Sequence, residues 1–261
     1  MEQVKTAGYA PINGLNMYYE IHGSGSMPLV LVHGGGSTIQ TSFGRVLPFL
    51  SAQGKVIAVE LQAHGHTSDR NTPETFEQDA DDVAALLEHL KVDKANIWGF
   101  SNGANTTMQI AIRHPYLVNK IVVTAGSYKR DGFVPGFFDG FATATLANMP
   151  EALQAAYLEV APNKEHLQTM FEKDVARMAT FKDWSDDAIR SIKAPALFMV
   201  ADRDVITVEH TVQMARLVTG AQLTVLPGIH GAFMGAAEAN APKDSKLPKL
   251  TAALVAAFLN E

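Results

Sequence analysis

The stretch ANIWGFSNGANTTM, residues 95–108, places one serine, Ser101, between two glycines and directly after an apolar run. Residues 95–100 are uncharged and bulky, which predicts a short buried strand. Residues 102–114 predict a helix, because they contain no proline and Pro115 prevents the helix from continuing. A G-x-S-x-G pattern between a strand and a helix is typical of a tight turn that exposes a nucleophilic serine. Ser101 is therefore either a nucleophile or only a turn residue. The presence or absence of a base and an orienting acid elsewhere in the chain distinguishes the two interpretations.

Strands and helices alternate on both sides of this stretch. Such an alternation predicts an α/β fold with a mostly parallel central sheet and helices on both faces, preceded by a hairpin that turns at Asn13-Gly14. The expected strands are 8–12, 15–21, 29–32, 56–61, 95–100, 120–124, 196–200 and 222–226, and the expected helices are 38–53, 79–90, 102–114, 208–218 and one from about 247.

The alternation stops after Tyr128 and resumes with the strand that begins at Ala196. The segment between them is helical in pattern, which predicts a helical cap at residues 128–187 inserted into a core of residues 1–127 and 188–261. Most large apolar side chains of the cap are expected to pack together, and a minority to line an apolar substrate site. These side chains are Phe133, Phe137, Phe138, Phe141, Met149, Tyr157, Met170, Phe171, Met178 and Trp184.

The composition is that of an ordinary globular protein, with 47% hydrophobic and 18% charged residues among 261. The net charge is −6 and no run of lysines or arginines occurs, so neither a nucleic acid nor a membrane surface is expected as a partner. The chain has no cysteine, which excludes disulfides, thiolate catalysis and Cys-ligated zinc.

Residues 1–20 contain neither the apolar core of a signal peptide nor a membrane-spanning apolar run. A cytoplasmic location is therefore expected for the chain as given. A secreted or periplasmic form whose signal peptide had been trimmed stays open, as does the oligomeric state.

A serine nucleophile needs a base and a carboxylate that orients the base. His230, in VLPGIHGAF, follows the last expected strand and is the candidate base, although a surface histidine is the alternative. Asp202 and Asp204, in FMVADRDVI, follow the preceding strand, and either could orient the base or cap the next turn. These positions can converge with Ser101, because parallel strands end at one edge of the sheet.

Two other stretches suggest competing chemistries. The glycine-rich HGGG at 33–36 could cradle a phosphate, but neither a following Gly-Lys-Ser/Thr nor a G-x-G-x-x-G accompanies it. In QAHGHTSD, the side chains of His64, His66 and Asp69 superficially resemble a di-zinc H-x-H-x-D-H ligand set. The aspartate is one place late and no histidine follows it, so no metal is expected there.

Taken together, these motifs resemble the α/β-hydrolase fold family over nearly the whole chain. The resemblance implies a triad of Ser101 as nucleophile, His230 as base and Asp204 as orienting acid, the second aspartate of a G-D-x-D-like stretch. The motifs that carry it are HGGG at 33–36, GFSNG at 99–103, ADRD at 201–204 and GIH at 228–230.

The resemblance also assigns an oxyanion hole to backbone groups. It implies that the amides of Gly35 and Asn102 donate to the oxyanion, so that the Asn102 side chain need not matter, and that Gly36 only clears space. It implies catalysis without a cofactor or a metal.

The expected function is hydrolysis of a small, apolar carboxylic ester or lactone through an acyl-enzyme on Ser101, a carboxylesterase-like or lactonase-like activity. On the same triad, related enzymes hydrolyse C–C bonds of vinylogous diketones or act as perhydrolases, and both remain alternatives. A serine at position 101 disfavours haloalkane and epoxide hydrolysis, which need an aspartate there. An alternative of another class is a ligand-binding, receptor-like protein with little turnover.

Overall fold

An eight-stranded sheet forms the centre of the protein in a computed structural model that describes residues 6–261. The strands are β1 (Thr6–Ile12), β2 (Leu15–His22), β3 (Leu29–Val32), β4 (Val56–Val59), β5 (Ala95–Phe100), β6 (Val118–Thr124), β7 (Ala196–Ala201) and β8 (Gln222–Leu226). Their order across the sheet is β1-β2-β4-β3-β5-β6-β7-β8. The β1–β2 and β2–β4 pairs are antiparallel, and the other pairs are parallel. The predicted mostly parallel sheet is confirmed.

The first two strands form the hairpin predicted from Asn13-Gly14. Ile12 pairs with Leu15, and the two turn residues have φ angles of 45° and 85°. Positive φ at both positions is the geometry of the two-residue turn that matches strand twist, and asparagine and glycine tolerate it best.

Helices cover both faces of the sheet, as predicted. Helices α3, α4 and α8 cover one face, whereas α1, α2 and α9 cover the other. Ile97 packs in the first layer and its neighbour Trp98 in the second, because successive strand residues point to opposite faces. The helices are α1 (Ile39–Phe43), α2 (Leu47–Ser51), α3 (Phe76–His89), α4 (Asn102–Arg113), α5 (Glu151–Val160), α6 (His166–Ala179), α7 (Asp186–Arg190), α8 (Val208–Leu217) and α9 (Leu247–Asn260).

The single helix predicted over residues 38–53 is wrong, since the chain forms α1 and α2 with a break between them. Pro48 lies in the first turn of α2. Its ring would clash with the carbonyl of Gly44, four residues earlier, if the helix were continuous. Helix α1 instead ends at Gly44, after a start at which Thr38 accepts a hydrogen bond from the Thr41 amide.

The segment between β6 and β7 contains helices α5, α6 and α7 and three short 3₁₀ turns. It has a small apolar cluster of its own, in which Met149, Leu153, Tyr157 and Met170 are buried. We call this segment, residues 125–195, the cap segment. The predicted division into a cap and a core stays a prediction, and residues 1–5 of that core lie outside the described part of the chain. Within residues 6–261, no helix is both long and apolar enough to cross a bilayer.

Candidate active site

Ser101 lies at the junction of β5 and α4 with φ 55° and ψ −122°, a backbone conformation that non-glycine residues rarely adopt. The flanking glycines allow this turn to form. A Cβ atom on Gly99 would lie 2.0 Å from the carbonyl oxygen of Gly103, and one on Gly103 would lie 2.1 Å from the carbonyl oxygen of Val32. The G-x-S-x-G pattern is thus required by backbone contacts, and Ser101 lines a cavity beneath the cap segment.

The structure brings Ser101, His230 and Asp204 together, although 129 residues separate the serine from the histidine. Nε2 of His230 is 3.0 Å from Ser101 Oγ, and Nδ1 is 2.6 Å from Asp204 Oδ1. The Asp204 carboxylate also accepts hydrogen bonds from the amides of Ala201 and Ile206, both at 3.3 Å. This is the hydrogen-bonded line that an activated serine requires.

The two candidate acids occupy different environments. The Asp204 side chain is fully buried, whereas half of the Asp202 side chain is exposed. Asp202 accepts a hydrogen bond from the Gly228 amide at 2.8 Å and lies near Arg203 in the solvent-facing turn. The structure therefore places Asp204, and not Asp202, beside His230.

The charge of His230 depends on its surroundings. Burial by itself lowers the pKa of His230, but the charge of Asp204 and its hydrogen bond, together with the nearby Glu238, raise this pKa above 6.5. The same contact holds the pKa of Asp204 below its ordinary value despite burial, which by itself raises it. Asp204 therefore favours the protonated imidazole that forms when the histidine takes a proton.

The predicted oxyanion donors, Gly35 and Asn102, line the cavity beside Ser101. Asn102 is the first residue of α4, so its amide is one of the free N–H groups at the positive end of that helix. Gly36 does more than clear space. Its φ is 64°, and its amide donates a hydrogen bond to Asp174 Oδ2, at 2.5 Å, in the cap segment.

Behind this loop lies His33, which is fully buried and neutral. Its Nδ1–H donates to the Gly34 carbonyl at 2.7 Å, and its Nε2 accepts from the Leu61 amide at 3.0 Å. Burial lowers the pKa of His33 to about 3, which agrees with this neutral tautomer. His33 therefore acts as a bridge between the glycine-rich loop and the loop that follows β4.

The three residues considered as metal ligands have three different partners. His64 Nε2 is 3.0 Å from Asp174 Oδ2, and His66 Nδ1 is 2.8 Å from Glu60 Oε2. Asp69 accepts a hydrogen bond from Lys173 Nζ at 2.6 Å. In the part of the chain that the structure describes, no three His, Asp or Glu side chains are grouped in a way that would hold a metal ion.

Buried charges form a cluster around Asp174 and Arg177 of α6. The Arg177 guanidinium binds Asp174 and Asp79, the latter at 2.8 Å, and its Nη2 lies 3.6 Å from Glu74. Burial raises the pKa of Glu74 to about 8, so this carboxyl group is mostly protonated at neutral pH. Although burial opposes it, the charges of Arg177 and His64 hold the pKa of Asp174 well below its usual range.

His64 is the second cation of this cluster, which we call the Asp174 cluster (Asp174, Arg177, His64, Asp79 and Glu74). Burial by itself lowers the pKa of His64, but the charge of Asp174 and its hydrogen bond raise the pKa to about 9. His64 is therefore an imidazolium at neutral pH, with Nδ1–H donated to the Gln62 carbonyl at 2.8 Å and Nε2–H directed at Asp174. The Gly36 amide lies 3.1 Å from this Nε2, but a protonated nitrogen cannot accept, so the amide donates to Asp174.

The cavity at Ser101 has a volume of about 570 Å³ and a largely apolar wall. Seven of the ten large apolar cap side chains considered from the sequence line it, whereas only a minority was expected to do so. They are Phe133, Phe137, Phe141, Met149, Met170, Phe171 and Met178. Such a wall suits an apolar ligand with few polar groups.

Comparisons with known proteins agree with this architecture. A sequence model of the α/β-hydrolase fold matches residues 27–180. The human serine hydrolase BPHL is 26% identical over 236 residues, which cover 85% of this chain and 79% of the relative. The uncharacterized hydrolase YugF of Bacillus subtilis is 33% identical over 129 residues, which cover 49% of this chain and 47% of the relative. The enol-lactonase of Burkholderia xenovorans LB400 superposes with a TM-score of 0.75 at 22% identity, covering 97% of this chain and 100% of that chain.

The protein therefore belongs to the α/β-hydrolase fold family, as its motifs indicated. The chain spans about a third to a half of the length of some curated relatives that it matches.

Sequence reasoning missed Asp174 and Arg177. The two residues are three positions apart on α6, and such a pair in a sequence is typical of an exposed helix face. Asp174 lies 138 residues from Gly36, so the local sequence contains no sign of their contact. His64 was singled out, but for metal binding and not for its contact with Asp174.

Proposed function

We propose that the protein is a serine hydrolase that cleaves a small, apolar carboxylic ester or lactone through an acyl-enzyme on Ser101. The observation that carries the proposal is the hydrogen-bonded line from Ser101 through His230 to Asp204, with Ser101 facing the apolar cavity. Each element of nucleophilic catalysis has a residue that fits it.

In this mechanism the Ser101 hydroxyl donates its proton to Nε2 of His230 as the oxygen attacks the carbonyl carbon. Asp204 keeps the second proton on Nδ1 and stabilises the imidazolium, which then protonates the leaving alcohol. Water then attacks the acyl carbon as His230 takes its proton, and His230 returns a proton to Ser101 Oγ as the bond between Oγ and the acyl carbon breaks and the carboxylic acid leaves. The amides of Gly35 and Asn102 donate to the oxyanion in both steps, and one such donor typically contributes about 3 kcal/mol.

The cavity supports an apolar acyl or alcohol group. Its polar groups away from Ser101 are few and include the side chains of Asn105, Ser127, Thr143 and Asn148 and the Asp174 carboxylate. Ser127 is hydrogen-bonded to His210 at 2.9 Å, and burial lowers the pKa of His210 to about 4. Since Ser127 Oγ donates to the Lys129 carbonyl at 2.6 Å, the neutral His210 ring donates its Nε2–H to Ser127 and does not act as a base toward it. Because the wall is mostly apolar and the Asp174 carboxylate in it is paired with His64 and Arg177, the bound substrate is expected to be uncharged.

C–C bond hydrolysis and perhydrolase activity would use the same triad and remain the alternatives within the enzyme class. Relatives carry names such as strigolactone esterase (Pisum sativum) and putative carbamate hydrolase (Azorhizobium caulinodans). These names support the choice of acyl-transfer substrates for testing. A receptor-like protein on this fold is the alternative of another class.

The test combines labelling with turnover. An organophosphonate such as a fluorophosphonate probe should add one adduct to Ser101, located by peptide mass mapping, and Ser101→Ala should abolish it. The wild-type protein should hydrolyse p-nitrophenyl esters with a burst of p-nitrophenol of up to one per chain, or lactones with steady turnover. An adduct on a residue other than Ser101 would contradict the proposal. A burst without later turnover on esters, lactones and vinylogous diketones would also contradict it and would favour a receptor-like protein.

A further inference from the structure

A carboxylate beside an oxyanion hole is unexpected, because its negative charge would oppose the charge that develops on the substrate oxygen. Asp174 occupies this position. Its Oδ2 accepts from the Gly36 amide at 2.5 Å, and its Oδ1 accepts from Asn102 Nδ2 at 3.3 Å. One cap carboxylate therefore contacts the neighbour of the first predicted oxyanion donor and the side chain of the second.

The packing around Gly35 shows how close these groups are. A Cβ atom added to Gly35 would lie 2.4 Å from Asn102 Nδ2 and 3.1 Å from Asp174 Oδ2. The loop backbone thus rests directly on the hydrogen bond between these two side chains. Loss of that hydrogen bond would leave the Gly35–Gly36 loop and the start of α4 freer to shift, and a misplacement of about 1 Å is enough to misalign a catalytic group.

The carboxylate has no lone pair left for a substrate. Oδ2 also receives His64 Nε2–H at 3.0 Å, and Oδ1 receives a guanidinium N–H of Arg177. A carboxylate accepts about four hydrogen bonds, and Asp174 has four. This saturation separates a positioning function from direct recognition of a substrate cation.

The two cations also explain how the carboxylate is tolerated. His64 and Arg177 are buried, and each donates a hydrogen bond to one oxygen of Asp174. Their positive charges offset the negative charges of Asp174 and Asp79, while the Glu74 carboxyl group is mostly neutral. The Asp174 cluster is therefore close to neutral as a whole, which limits the repulsion between the Asp174 carboxylate and the oxyanion.

We propose that Asp174 is a positioning residue: from the cap segment it holds the Gly35–Gly36 loop and Asn102 as one rigid oxyanion hole, with its charge balanced by His64 and Arg177. This inference rests on the proposed function. It makes the predicted oxyanion hole depend on the packing of α6, whose Asp174 is 72 residues from Asn102 in the chain.

The experiment compares Asp174→Asn with Glu74→Gln. Both change a buried carboxyl group of the Asp174 cluster to an amide, but Glu74 contacts neither Gly36 nor Asn102. Asp174→Asn places an NH₂ group against N–H donors, so kcat for p-nitrophenyl esters should fall by about 10- to 100-fold with KM nearly unchanged. Glu74→Gln should keep kcat within about twofold of wild type.

A second readout isolates the oxyanion hole. An alkyl trifluoromethyl ketone adds to Ser101 and places an oxyanion in the hole, whereas the corresponding methylene compound binds without one. Asp174→Asn should weaken the trifluoromethyl ketone by the same factor as kcat/KM and leave binding of the methylene compound unchanged. Asn102→Ala keeps the backbone amide and favours the helix, and it should show the same pattern with a smaller loss. This variant tests the inference even if Asp174→Asn does not fold.

Equal kcat values for Asp174→Asn and Glu74→Gln would overturn the inference while leaving the proposed function intact. Wild-type kcat in Asn102→Ala would also overturn it. A loss confined to KM, or to one class of substrate, would show instead that Asp174 binds substrate. A wild-type chain that neither hydrolyses esters nor reacts with the phosphonate would overturn the proposed function and this inference with it.

Discussion

The Asp204 carboxylate lies 2.6 Å from Nδ1 of His230, and each of its two oxygens also accepts a hydrogen bond from a backbone amide. This contact keeps a proton on Nδ1, so that Nε2 faces Ser101 with a free lone pair. The geometry thus assigns the orienting position to Asp204 and not to Asp202, two residues whose side chains are chemically identical.

Asp204→Asn is expected to lower kcat by orders of magnitude, up to about 10⁴, because the amide favours the wrong imidazole tautomer. Asp202→Asn should keep at least about a tenth of wild-type kcat, since an asparagine oxygen can still accept from the Gly228 amide. Both variants are compared by steady-state kinetics well below their melting temperatures. Loss in Asp202→Asn alone would transfer the orienting role to Asp202, and loss in neither would place the acid on another strand.

The pH dependence of kcat/KM should report His230. Only the neutral imidazole accepts the serine proton, so activity should rise with pH through the pKa of His230, with a midpoint above 6.5. Glu238→Gln removes a nearby negative charge and should move this midpoint down with the plateau kept. Glu209→Gln, on α8 away from the cavity, is the control. A midpoint that is below 6.5 in the wild type would contradict the assignment.

Chelation should leave activity unchanged, because the proposed mechanism uses no metal and His64, His66 and Asp69 have separate partners. Prolonged treatment with EDTA and zinc analysis of the purified protein are the measurements. Activity that is lost to the chelator and restored by zinc would move the chemistry to the loop of residues 62–69.

The charge on His64 should make stability depend on pH. Its pKa in the folded protein, about 9, lies above the ordinary value of 6.5, so its contribution is present below 6.5 and is lost as pH rises toward 9. The free energy of unfolding should therefore fall by a few kcal/mol between pH 7 and 9.5, since one pKa unit corresponds to about 1.4 kcal/mol.

Glu74, whose pKa is raised to about 8 from 4.5, also loses its contribution with rising pH, so the test is made in its absence. Urea unfolding of Glu74→Gln is compared with that of Glu74→Gln/His64→Gln at each pH. The double variant should show the flatter profile. Parallel profiles would mean that His64 is neutral in the folded protein.

The sequence by itself determined the features that arise from local contacts. Alternating apolar strands and amphipathic helices predicted the sheet, and Asn13-Gly14 predicted its first turn, because these signals act over a few residues. The glycines around Ser101 predicted the tight turn for the same reason. Pro48 is a local signal of the same kind, because its ring prevents one continuous helix over residues 38–53 and separates α1 from α2.

Only the tertiary structure decided which distant groups meet. It places Asp204 rather than Asp202 beside His230. It also shows that His64, which the sequence offered as a possible metal ligand, contacts Asp174. Asp174 resembled a surface charge because helix periodicity does not record what packs against a helix. Three of its partners, Gly36, His64 and Asn102, lie 72 to 138 residues earlier in the chain. Long-range packing and desolvation, which no local pattern encodes, fix the charges of this cluster.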